Sequence, residues 1–121
     1  MQFMISFFQP ASEFDKREDP VQGPAYWGAW KAYVGAMYES GKVVTGAGLM
    51  PPHTGTSVRI RDGKQQVQDG PFADTKEHLG GYFVIDVPSL DVALEWAARS
   101  PSSAAGTTEV RPVMDTSKMM K

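Results

Sequence analysis

The chain has 121 residues, 41% of them hydrophobic, 13 aromatic residues, no cysteine and a formal net charge of −2. That length and apolar content suit one domain of common size with a single core, and the charge lacks the basic excess of a nucleic-acid binder. With no cysteine, disulfides, thiolate catalysis and cysteine-based zinc sites are excluded. No run approaches the ~20 apolar residues of a membrane span, and the apolar start MQFMISFF lacks the basic region of a secretory signal. A cytoplasmic protein is the expectation.

Met1–Phe8 reads as a strand with Phe3, Ile5 and Phe7 on one face and Met4 and Phe8 on the other, the pattern of a central strand. Gln9–Pro24 reads as a polar loop whose charged middle, Glu13 to Asp19, has room for a turn of helix. Ala25–Ser40 is the first clear helix. Trp27, Trp30, Val34, Met37 and Tyr38 form one stripe at helical spacing, with Gly41 placed as a left-handed cap. Core packing is the reading favoured for both Trp27 and Trp30.

Val43–Met50 is a strand broken by glycines. Gly46-x-Gly48 is no phosphate loop, because no third glycine or helix start follows. Thr54–Arg61 alternates, with Thr56, Val58 and Ile60 opposite Ser57, Arg59 and Arg61. Asp62-Gly63 is the strongest hairpin signal in the chain, and Lys64–Gln68 pairs back from it. Tyr82–Val87 is an interior strand ended by Pro88. Ser89 caps a helix over Leu90–Ser100, whose expected buried stripe is Leu90, Ala93, Leu94 and Ala97 and which Pro101 stops. Thr107–Val113 is the last strand, and 114–121 forms a tail.

Two helices returning to one mostly antiparallel sheet give an α+β arrangement of the ferredoxin-like, split βαβ kind, a single domain over residues 1–113. The helices cover one sheet face. The other, expected to carry Tyr82, Arg59, Arg61, Glu109 and Arg111 or their opposites, needs a cover, and a second copy of the chain is the economical one.

Candidate chemistry concentrates in Asp69–Gly81, DGPFADTKEHLGG, read as a long polar crossing between strands. Asp69 follows a strand and opens a turn, so its carboxylate is placed; taken alone, an Asp before Gly is favoured as a plain turn former. Glu77 and His78 offer a general base and acid, against the plainer reading of a solvated loop edge. Arg59, Arg61 and Arg111 have the fork geometry for a carboxylate-bearing ligand, or simply pair with Glu109, Asp86 or a partner subunit. His53 and His78 are the two histidines, and no HxH or HxxxH spacing supports a metal site. No cofactor motif is present.

Residues 69–85, DGPFADTKEHLGGYFVI, resemble the signature of the DGPF subgroup of the YCII-related domain family. Gly48-Leu49-Met50-Pro51-Pro52, Val58–Gly63, Ala93–Ala97 and Glu109–Val113 fit the same pattern. The resemblance implies a ferredoxin-like fold that dimerises through its sheets into an α/β barrel. It also implies small enzymes that use a His–Asp pair in a cleft, and a bacterial companion role beside alternative sigma factors. Ala25–Ser40 contains no histidine, so this chain departs from that pair: Asp69 is the carboxylate, with His78 or His53 as the substitute imidazole.

The resulting expectation is a homodimer that handles a small anionic or polar molecule by lyase- or isomerase-like acid–base chemistry. Asp69, Glu77 and His78 are its catalytic candidates, and Arg59, Lys76, Tyr82 and Arg111 its substrate-binding candidates. The rival expectation is a non-catalytic sensor or interaction protein, with Phe72 as an apolar plug and Lys76 and Glu77 in ion pairs.

Overall fold

The computed structural model describes residues 1–72, 75–117 and 119. Ala73 and Asp74 of the DGPF run, and Lys118, Met120 and Lys121 of the tail, lie outside the described residues.

Alternation in the N-terminal run gives strand β1, Gln2–Pro10. It pairs antiparallel with β5 (Glu77–Asp86) on one side and β6 (Thr107–Pro112) on the other. Strand β2 (Val43–Gly48) adds to the far edge of β5, giving the order β2-β5-β1-β6. Each sequential pair β1/β2 and β5/β6 is split by one inserted strand, which is the ferredoxin-like α+β topology. Asp62 and Gly63 both have positive φ, 53° and 73°, and turn β3 (Thr56–Arg61) into β4 (Lys64–Asp69) as a type I′ hairpin. These two strands form their own two-stranded sheet. Arg59 and Arg61 therefore sit on a separate arm and not on the open face of the main sheet, because β3 and β4 pair with each other rather than with its strands.

Strand β5 begins at Glu77, five residues before the expected Tyr82. Glu77, His78 and Leu79 pair with Pro10, Gln9 and Phe8, so ladder hydrogen bonds extend a segment whose charges and glycines gave no strand signal. The crossing between β4 and β5 is accordingly short, residues 70–76, and not a long loop to Gly81.

Two crossovers pack on the face that carries Phe3, Ile5, Phe7, Phe83 and Ile85, all buried. The first is helix α2, Gly23–Glu39, with Pro24 in its first turn and Gly41 (φ 71°) past its end. Its buried residues are Gly23, Tyr26, Tyr33 and Met37, with Trp30 and Val34 packed against the core. The expected stripe was rotated: Trp27 and Tyr38 are 48% and 57% exposed. This helix is apolar on most sides, so spacing alone does not choose the inner face.

The second crossover is α3 (Leu90–Ala98), capped by Ser89 Oγ accepting from Val92 N, followed by α4 (Pro101–Ala105). Ala93 and Ala97 are buried, with Val92 and Trp96 beside them, while Leu90 and Leu94 face outward, contrary to the expected stripe. Pro101 starts α4 at a position that needs no amide donor, rather than only ending α3. Residues expected to form a loop after β1 build helix α1 (Ala11–Asp15) and a 3-10 turn, Lys16–Glu18. No described helix is long and apolar enough to cross a membrane.

Candidate functional site

Glycine makes the cavity. In register, Phe7 of β1 faces Gly81 of β5, which faces Gly48 of β2, and Gly46 faces Phe83. At this end of the sheet the helix-side face thus presents Gly46, Gly48 and Gly81 where large side chains sit elsewhere. The two positions at Gly46 and Gly81 have no room for more: a Cβ would lie 2.4 Å from the Phe83 ring and 2.8 Å from the Ala47 carbonyl. At Gly48 a Cβ meets nothing within 4 Å. Between these glycines and α2 lies a cavity of about 530 Å³, walled by Phe7, Trp27, Trp30, Tyr38 and Phe83. It is within the usual range of small-molecule sites, roughly 300–1,000 Å³ and mostly apolar.

Its polar wall comes from three elements. Gln9, 1% exposed at the end of β1, accepts from Tyr26 Oη at 3.0 Å. Tyr26 Oη accepts in turn from Arg17 Nε at 3.1 Å, and Arg17 Nη1 donates to the Leu49 carbonyl after β2. The Trp27 indole closes the loop by donating to the Arg17 carbonyl at 2.9 Å. The guanidinium lies 4.8, 5.9 and 5.4 Å from the ring centres of Phe14, Tyr26 and Trp27. Asp19 holds the entry to α2 by accepting from Val21 and Gln22 N–H at 2.8 and 2.9 Å. The bonds from Gln22 and then Val21 keep its carboxyl below the usual carboxylate range.

Arg17, Trp27 and Met50 also border a second, more polar cavity of about 900 Å³ that opens toward the DGPF run. Asp69, His53 and His78 all line it, together with Asp15 and Glu18. The structure so brings together three of the sequence candidates that sit 16 and 25 positions apart along the chain from His53. His78 is half-buried and its Nδ1 is 3.3 Å from Thr75 Oγ1; Asp69 is exposed at the end of β4. Among the described residues no group of three or more His, Asp or Glu is placed to hold a metal.

Other candidates fall elsewhere. Glu77 opens β5 opposite Pro10 and Lys76 is exposed beside it; neither lines either cavity or makes an ion pair among the described residues. Tyr82 borders the aromatic cavity. Arg59 stacks on Phe72, 3.7 Å from the ring centre, and Arg111 pairs with Glu109 at 3.1 Å on the strand at the opposite edge from β2. Arg17 was missed by sequence reasoning. Its only advance signal is its place three residues after Phe14 in a polar run, and ten before Trp27.

The profile of the YCII-related domain matches residues 10–117. The chain belongs to the YCII-related domain family. An uncharacterised protein of Rhizobium meliloti (strain 1021) is 42% identical over 77 residues, 62% of each chain, so the match spans under two thirds of that relative's length. Among solved structures, the chain is similar to the 5-chloro-2-hydroxyhydroquinone dehydrochlorinase TftG of Burkholderia phenoliruptrix AC1100, in complex with 2,5-dihydroxybenzoquinone. That similarity has a TM-score of 0.53 and 17% identity over 94% of each chain, a likeness of fold.

Proposed function

We propose that this YCII-related protein is a cytoplasmic homodimer that converts a small polar or anionic molecule by acid–base chemistry of the lyase or isomerase kind. One observation carries the reading: Asp69 and His78, from the ends of different strands, line one cavity. Asp69 serves as the base that takes a proton from the substrate, and His78 or His53 returns one to the leaving or rearranged atom. Support from likeness of fold is general: TftG, a dehydrochlorinase of similar fold, holds 2,5-dihydroxybenzoquinone. A second copy would cover the open sheet face, where Met4, Phe8, Tyr82 and Val84 are half-buried, and the exposed Val58, Ile60 and Val67 of the hairpin arm.

The rival reading, a non-catalytic sensor and companion of an alternative sigma factor, draws on Phe72. Its ring under Arg59 ties the DGPF turn to the arm without facing either cavity.

The test is a nuclear magnetic resonance assay of hydroxylated quinones and small hydroxy acids for protein-dependent proton exchange or elimination in deuterated water. Asp69→Asn should slow the reaction by about 10²–10⁴ with the fold intact. Unchanged turnover in both Asp69→Asn and His78→Asn removes the catalytic assignment, and a monomer by light scattering removes the dimer.

A further inference from the structure

We infer that the aromatic cavity is a binding site for a planar ring anion, with the ring against Trp27 and Trp30 and the charged oxygen on Arg17. The inference names the substrate class of the acid–base site proposed above and rests on that reading only for what happens after binding.

Arg17 is half-buried and stands where the two cavities meet. Among the described residues no carboxylate pairs with it; the ion pairs there are Met1–Asp86, Lys16–Glu13 and Arg111–Glu109. Its fork is held from behind, Nε by Tyr26 Oη and Nη1 by the Leu49 carbonyl, and the three rings around it fix its plane. Nη2 makes no described hydrogen bond, so a pre-oriented pair of charge-assisted donors remains for an oxyanion. A guanidinium placed only for packing would not need so apolar a chamber beside it.

That chamber sets the rest of the ligand. Its walls are indole, phenol and phenyl rings, which favour a flat apolar body in offset or edge-on contact. The Trp30 indole N–H is buried without a partner among the described residues and is not open to the cavity, so the ligand's charged oxygen is left to Arg17. Gly48, where a Cβ would meet nothing within 4 Å, leaves open the depth that one ring fills. A long aliphatic acid would leave these walls poorly covered, and a phosphate would use only Arg17.

Isothermal titration of the full chain with benzoate, 4-nitrophenolate, inorganic phosphate and the neutral benzamide tests this. Benzoate or nitrophenolate should bind at least tenfold more tightly than benzamide and phosphate, and whichever of the two is tighter identifies carboxylate or phenolate as the charged group. Arg17→Met, which keeps the apolar stem, should lose that preference, about tenfold or more in the anion's Kd. Gly48→Leu, filling open space, should abolish binding of every ring compound while the thermal midpoint holds. Binding is read here without turnover, so ring-anion binding with no proton exchange or elimination breaks only the catalytic reading, and absence of ring-anion binding breaks this one. Three results overturn it: no ring anion bound at about 10 mM, equal affinity for benzoate and benzamide, or wild-type affinity in Arg17→Met or Gly48→Leu.

Discussion

Both crossovers lie on the same sheet face, yet one is filled and the other is hollow. Under α3 and α4, Ala93 and Ala97 bring the backbone close to the sheet. Ser102, fully buried, bonds both Ser100 and Thr108 hydroxyls at 2.7 Å, and Ser103 Oγ reaches the Ala97 carbonyl. Under α2 the small residues are on the sheet instead, as glycines, and the large ones are on the helix. Small residues on the helix side let elements meet; small residues on the strand side beneath tryptophans leave a chamber. Position, and not composition, decides whether a small residue closes a gap or opens one.

Enlarging one residue on each side breaks the comparison most sharply. Ala93→Leu forces a branched side chain into a filled site and should cost about 3 kcal/mol. Gly48→Leu should stay within about 0.5 kcal/mol of the parent, because its Cβ enters open space. Urea titrations of the two variants check the contrast, and equal losses would erase it.

A smaller effect is expected from Ser102→Ala, which takes one of two partners from the buried Ser100 hydroxyl and one of two from half-buried Thr108 and should cost about 1 kcal/mol by the same titration. The hollow side has its own network, Tyr26 between Gln9 and Arg17, but it edges the cavity and does not fill it.

The pH response joins the two halves at Tyr33, whose hydroxyl on α2 donates to the Trp96 carbonyl of α3 at 2.9 Å. Burial pushes this phenol above the ordinary tyrosine value, with Arg99 pulling the other way. The folded state therefore holds the proton more tightly than the unfolded chain. This contribution is intact below pH about 10 and is lost as pH rises above it, at up to about 1.4 kcal/mol per pH unit. Tyr33→Phe should flatten that alkaline slope in denaturation curves collected from pH 8 to 11.

Smallest is a gain. Gly35 lies inside α2 with open space at its Cβ, so Gly35→Ala should raise stability by about 0.5–1 kcal/mol, read as a higher thermal midpoint.

Strands were legible where side chains alternate, as in Phe3-Ile5-Phe7 and the Asp62-Gly63 hairpin, because each strand carries its own pattern and its own turn. Glu77–Gly81 was not, since its pairing is supplied by Pro10 to Phe7 of a distant strand. The inner face of α2 was hidden by its own richness: Tyr26, Trp27, Trp30, Tyr33 and Tyr38 surround the axis, and only the sheet selects among them. Of the site, Asp69 and His78 were visible as polar residues near a turn. The cavity they share and the role of Arg17 depend on where missing side chains leave room, and a sequence does not display empty space.

Trp27 has one further consequence. Its indole is half-exposed at the mouth between the chambers and tethered by its N–H to the backbone of Arg17. A fluorophore so tied has little freedom to relax on its own, so its emission should follow the polarity of whatever enters. Trp96 lies under Arg99 on the filled side, 4.4 Å from the guanidinium, and adds emission that does not report on the cavity. The protein thus carries its own optical gauge of occupancy, and a Trp96→Phe background would make it readable without any label.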